Sequence, residues 1–290
     1  MSAAAVWPVA VALMLALVAT TAHRRLPPQI AARTLLATMS VVVVATVPIL
    51  WVVTLGFVAH LPALDRWIGW CADAFGTHER VPAWVGLTAL MVSTIGSARA
   101  FRVLLVHGRL RHDRPGPIEI VAHDEAFAYT LPGAGGRVVL SDTLVELLDG
   151  DEHAVVVAHE STHAHHRHDR FLLVAQLGEA LLPVVRPLSK RLRFSLERWA
   201  DDAAAQCCGD RPFVARTLAK VALHGHTPSG VVGLTGLGVS ARVAALLGPP
   251  NRAARPAMLV IVWMAIGLTG ALAVIQLHHL SGLIAEWCSA

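Results

Sequence analysis

The sequence predicts an α+β polar domain inserted in a helical transmembrane bundle of about four spans. Three observations predict it. Hydrophobic residues make up 55% of the 290-residue chain and charged residues only 15%, where a soluble domain carries roughly a quarter charged. The apolar residues collect in four long runs. Between the third and fourth runs lies one polar stretch of short strand candidates and capped helices.

The runs are residues 3–22, about 35–59, about 81–106 and about 257–277. Each is long enough to cross a bilayer, which takes roughly 20 residues. The first resembles a signal peptide in length, but no basic segment precedes it and Arg24-Arg25 follow it. It therefore reads as a first span. The stretch from Phe171 to Val185 is shorter and is broken by Pro183. It reads as an amphipathic or partly embedded helix rather than a span. The expected organisation is three spans in 1–106, a polar domain in 107–255, and one span with a short tail in 256–290.

Charge sets the expected orientation. The net charge is +4, nearly all of the positive charge being arginine. Arg24, Arg25 and Arg33 follow the first run. Arg99, Arg102, Arg109, Arg111 and Arg114 follow or close the third. The loop between the second and third is close to neutral, with Asp65, Arg66, Asp73, Glu79 and Arg80. Basic segments stay on the cytoplasmic side, so the N-terminus is expected outside and the polar domain in the cytoplasm. Aromatics are only 6% of the chain, and no basic face with interleaved aromatics suits nucleic acid. The four cysteines include no CxxC pair, so neither a disulfide framework nor a cysteine zinc site is expected.

Within the polar domain, residues 118–122, 126–130 and 137–140 read as strands, with a turn over 131–136. Ser141-Asp142 reads as the N-cap of a helix through Leu148. Asp149-Gly150 breaks it. Asp151 is expected to cap the next helix, over about 152–169.

That helix carries His159-Glu160-Ser161-Thr162-His163, an HExxH pattern. Residues i and i+4 lie on one helical face, so two imidazoles there can bind one Zn²⁺. Glu160 then stands where a general base is needed, and zinc brings the pKa of a bound water toward about 7. A third ligand is required. Glu197 lies 34 residues beyond His163, in an ExxxD segment that also carries Asp201 on the same face. Glu197 would complete a His₂Glu set, and Asp201 would orient a ligand histidine through its other ring nitrogen. The rival is Asp169, ten residues after His159, but an extended motif using it needs a glycine where His166 stands. His165, His166 and His168 read as a solvated end of the helix. Tyr129 reads as a core or edge residue before an oxyanion donor. His224 and His226 are candidates for stabilising a transition state.

Residues 126–220 resemble the membrane-embedded gluzincin peptidases. These are the M56 family (BlaR and MecR type) and the related M48 family (HtpX and Ste24 type). The resemblance rests on AFAYTLPGAGGRVVLSDTLVELL, then DEHAVVVAHESTHAHHRHDR, then ERWADDAAA. It implies a zincin-like metalloprotease domain with one Zn²⁺ per chain. His159, His163 and Glu197 would be the ligands and Glu160 the base. It also implies a substrate peptide added as a β-strand to Arg137, Val138, Val139 and Leu140. Three spans before the motif favour the M56 type, and with it a bacterial plasma-membrane protein cutting a cytoplasmic winged-helix repressor of the BlaI type. A quality-control protease of the HtpX type is the alternative. A non-enzymatic metal sensor and an inactive scaffold are the others.

Overall fold

The computed structural model describes residues 3–59, 61, 81–110, 118–133, 136–224, 238–249 and 256–289. The charged residues between the second and third runs, together with Arg111, Arg114 and His226, lie outside the described residues.

The apolar runs are helices α1 (Ala3–Ala22), α2 (Pro28–Val58), α3 (Ala83–Leu110) and α10 (Pro256–Ser289). Among the described residues, three segments are long and apolar enough to cross a membrane: Pro28–Val58, Ala83–Leu110 and, within α10, Leu259–His278. In α1 the described apolar part, Val9–Thr21, is shorter. Small and weakly polar side chains bring these helices together, as they do where no hydrophobic effect separates helix from lipid. The Thr54 and Ser93 hydroxyls of α2 and α3 are 3.2 Å apart. The Gln276 amide of α10 donates to the Ala45 carbonyl of α2.

The polar domain opens with a three-stranded sheet of β1 (Glu119–Val121), β2 (Ala128–Leu131) and β3 (Arg137–Ser141), in the order β1-β3-β2. β1 runs parallel to β3, with Ile120 opposite Leu140. β2 runs antiparallel to β3, with Thr130 opposite Val138. This corrects the expectation for Arg137, Val138, Val139 and Leu140. They form the central strand, hydrogen-bonded on both sides, and have no ladder left for a substrate. The strand facing the HExxH helix with an open side, among the described residues, is β2.

Ser141 caps α4 (Asp142–Leu147) by accepting from the Leu144 amide at 3.2 Å. The helix that carries the motif is α5 (Gly150–His165). Its cap is Asp149, not Asp151. The Asp149 carboxylate accepts from the Glu152 amide at 2.8 Å, and Glu152 accepts from the Asp149 amide at 3.1 Å. This reciprocal capping box satisfies two otherwise orphaned donors. The helix also ends four residues before the expected 169. Arg167 takes a left-handed conformation, φ 53°, and the chain starts again as α6 (His168–Leu181).

α6 is the stretch expected as an amphipathic helix. Leu172 and Ala175 sit in a core shared with Leu35, Met39 and Val42 of α2. A 3₁₀ turn at Pro183–Val185 leads into α7 (Arg186–Cys208). α7 joins the two halves of the molecule. Leu188, Leu192, Leu196 and Trp199 recur at helical spacing and pack into the membrane-side core. Ala204 and Ala205 pack into a second core with the sheet, α5, α8 (Arg211–His224) and α9 (Val239–Leu247). Burying each of those leucines contributes about 1.5–3 kcal/mol.

Candidate metal centre

α5 and α7 lie side by side and supply the site between them. His159 and His163 are one turn apart on α5, as the i, i+4 spacing requires. Glu197 and Asp201 are one turn apart on α7. All four, and Glu160, are buried. The Nε2 atoms of His159 and His163 are 3.2 Å apart. Glu197 Oε2 is 3.6 Å from His159 Nε2, and Glu197 Oε1 is 3.7 Å from His163 Nε2.

The donor set fits zinc. Ligands at about 2.0–2.1 Å from a tetrahedral ion stand about 3.3 Å from one another, close to the spacings here. Three protein ligands leave a fourth position open, the arrangement of catalytic rather than structural sites. Glu197 Oε1 is buried and accepts no hydrogen bond, which a cation would satisfy. Asp169 is not among the converging groups. It lies beyond the helix break, half-exposed, 3.6 Å from the Arg167 guanidinium.

Each ring is held from behind. His159 Nδ1 lies 3.1 Å from Asp201 Oδ1. Asp201 is gripped by Arg242 of α9, at 2.7 Å from Nε to Oδ2 and 2.6 Å from Nη2 to Oδ1. The Nη1 of the same guanidinium is 2.9 Å from Glu197 Oε2. Burial alone would raise the pKa of both carboxyls, but Arg242 overcomes it and holds both below their usual range. Burial likewise opposes a charge on His159. The hydrogen bonds to Asp201 and Glu197 prevail, and its pKa rises to about 9. His163 Nδ1 lies 2.8 Å from His168 Nδ1. Burial, then the charges of His166 and His159, push His168 down to about 3. His168 is therefore neutral, and the tautomer in which His163 Nδ1–H donates to it is the one that leaves Nε2 of His163 free to ligate.

Two of these groups escaped the reading of the sequence. His168 was expected in a solvated helix end. The break at Arg167 instead turns it under His163, where it is 1% exposed, against Trp199. Arg242 was not singled out at all. Its one signal is a lone charge in the apolar helix VSARVAALL. His166 does remain exposed, its ring tilted against that of Trp199 with centroids 4.5 Å apart. His224 is exposed at the end of α8, 2.9 Å from the Lys220 carbonyl. Tyr129, half-buried on the edge strand β2, stacks on Phe127.

Glu160 is fully buried beside the ligands. Its Oε2 accepts from the Thr130 hydroxyl of β2 at 2.8 Å, while Oε1 has no hydrogen-bond partner. Burial pushes its pKa up to about 7, against the pull of His159 and Thr130. A carboxyl titrating near neutrality is suited to general base and acid work. A groove of about 260 Å³ opens beside His163, between Thr130 and Leu131 of β2, Ala164 of α5, Leu172 of α6 and Val106 of α3. The β2–β3 turn fits closely there. Gly136 has φ 64°, and a Cβ on it would come 2.6 Å from that of Ala164.

Residues 109–185 match the model of Peptidase family M48. This is about a quarter of the chain, and it includes the sheet, His159, Glu160 and His163. It ends before Glu197, Asp201 and Arg242. The match supports a zincin-type M48 peptidase, and so a metallopeptidase. No curated protein and no solved structure matches the chain. The M56 type, expected from the span order, receives no such match.

Proposed function

We propose that this protein is an integral-membrane zinc endopeptidase of the M48 type, working on the cytoplasmic face of a bacterial plasma membrane. The observation that carries the reading is the buried triangle of His159, His163 and Glu197 with Glu160 beside it. His159, His163 and Glu197 would hold a zinc ion, which when bound would supply Lewis-acid chemistry for peptide hydrolysis. The chain's own groups do the rest. Glu160 takes the proton of the attacking water on its free Oε1. As the water oxygen bonds to the carbonyl carbon and the C–N bond breaks, Glu160 returns the proton to the leaving amine. Thr130 keeps Oε2 of the base fixed. Asp201, backed by Arg242, and His168 keep the two rings in their ligating orientation.

The substrate strand adds to β2. Its open side lies next to Glu160 through Thr130 and leads into the groove. Val106, Leu110 and Leu172 give that groove an apolar wall at the end of α3, which suits an apolar side chain of a membrane-associated protein. This favours the quality-control reading. A winged-helix repressor of the BlaI type remains a second reading, favoured by one observation: among the described residues, three apolar helices precede the site and one follows it.

The test is zinc content together with cleavage of an unfolded casein-like substrate. Wild type should hold about one zinc and cut. Glu160→Ala should keep its zinc and lose cleavage by at least about 10²-fold. Glu197→Ala should lose its zinc. Wild type without zinc, or an active Glu160→Ala, would overturn the proposal in favour of a metal-sensing or scaffold role.

A further inference from the structure

Away from the metal centre, a second groove runs between α1 and the start of α10. Its volume is about 400 Å³. The walls are apolar, from Val11 and Val18 of α1 to Ile261 and Ala265 of α10, and it reaches Leu26 and Thr34 beside the α1–α2 connection. From Trp7 to Ala19, both lining residues, α1 rises about 18 Å. One leaflet of hydrocarbon is about 15 Å deep. A groove of this length, with apolar walls, matches a lipid chain.

The end of the groove at Leu26 is cationic. Arg24, Arg25 and Arg33 are exposed there. The charges of Arg191, Arg24 and Arg198 all bear on the buried His23 ring, which gathers α7 and the connection around one turn. None of these five arginines forms an ion pair among the described residues. Asp202 and Asp201 act on Arg198, while Arg24 and Arg191, both bearing on His23, leave positive charge at this end that suits an anion at a membrane surface. The Arg33 guanidinium lies 5.4 Å over the Trp199 ring. The Thr34 hydroxyl is 3% exposed, lines the groove and has no hydrogen-bond partner. It is an unsatisfied hydroxyl next in sequence to Arg33, on the groove side.

We propose that this groove seats one anionic phospholipid, its phosphate held by Arg24, Arg33 and Arg191, its ester by Thr34 and one acyl chain along α1. The proposal rests on the reading of α2, α3 and α10 as membrane spans, and not on proteolysis. The seat lies close to the metal centre. Arg33 stacks on Trp199, Trp199 touches His168, and His168 bonds to His163.

Native mass spectrometry of the full chain in detergent tests this without any activity measurement. The probes are phosphatidylglycerol, phosphatidylcholine and glycerol phosphate. One phosphatidylglycerol should stay bound at least tenfold more tightly than phosphatidylcholine. The double variant Arg24→Gln/Arg33→Gln should erase that preference. Val18→Trp should fill the groove and lower binding of both lipids, with the arginines intact. Elution volume and helical content check folding, and Arg24→Gln/Arg191→Gln replaces the first pair if that pair fails to fold. Equal retention of the two lipids would overturn the proposal. So would unchanged binding in the folded variants. Displacement by equimolar glycerol phosphate would show a free-anion site and overturn the lipid seat.

Discussion

Arg242 is the residue on which the buried charges depend. One guanidinium contacts both Asp201 and Glu197 inside the protein. Removing one partner of such a set leaves uncompensated charge and destabilises by about 3–5 kcal/mol. Arg242→Leu should therefore melt far below wild type. Arg242→Lys keeps a charge but loses the planar fork that grips Asp201 on two oxygens. It should fold and bind zinc about 10–100-fold more weakly, the usual penalty for losing a group that orients a ligand. His168→Ala should cost about as much in zinc affinity, since His163 loses its acceptor. Competition with a chelating dye measures both. Full affinity in Arg242→Lys and His168→Ala would mean that the rings need no support from behind.

The break between α5 and α6 is the element that shapes the site. Arg167 adopts a left-handed conformation that costs an L-residue roughly 1–2 kcal/mol. Glycine adopts it freely. Arg167→Gly should leave thermal stability equal or higher, and Arg167→Val should lower it by about 1–2 kcal/mol. If Arg167→Val is as stable as wild type, the turn is not held as described. At the neighbouring turn, Gly136→Ala combines a positive φ with a clash against Ala164. It should lose at least about 1 kcal/mol, read from the same melting curves. The capping box at Asp149 was nearly legible in advance, because caps are local. The break was not. Nothing in HAHHRHDR forbids helix, and only packing of α6 between α2 and α3 makes the chain turn there.

For the whole molecule, the expected topology puts the polar domain in the cytoplasm and the loop containing Cys71 outside. Cys207 is exposed near the end of α7. With Cys71 and Cys288 replaced by serine, a membrane-impermeant maleimide should leave Cys207 unlabelled in intact spheroplasts. It should label Cys207 after permeabilisation. Labelling in intact cells would invert the orientation drawn from the arginines. α7 ties this domain to the membrane bundle, with its leucines in one core and its alanines in the other. The metal centre is therefore built directly on the bundle rather than on a separate module joined by a linker.

The sequence by itself determined what depends on neighbours within a few residues. Hydropathy marked the long apolar helices, Ser141 announced its cap, and the i, i+4 spacings put His159 with His163 and Glu197 with Asp201 on shared faces. The tertiary structure decided what depends on distant partners. It put β3 in the centre of the sheet and left β2 as the open strand, because strand order follows from layer packing and not from strand composition. It brought Arg242 to Asp201 across 41 residues and turned His168 under His163. Side-chain periodicity carries no record of which distant charge will meet which, so these pairings became visible only once both cores had closed.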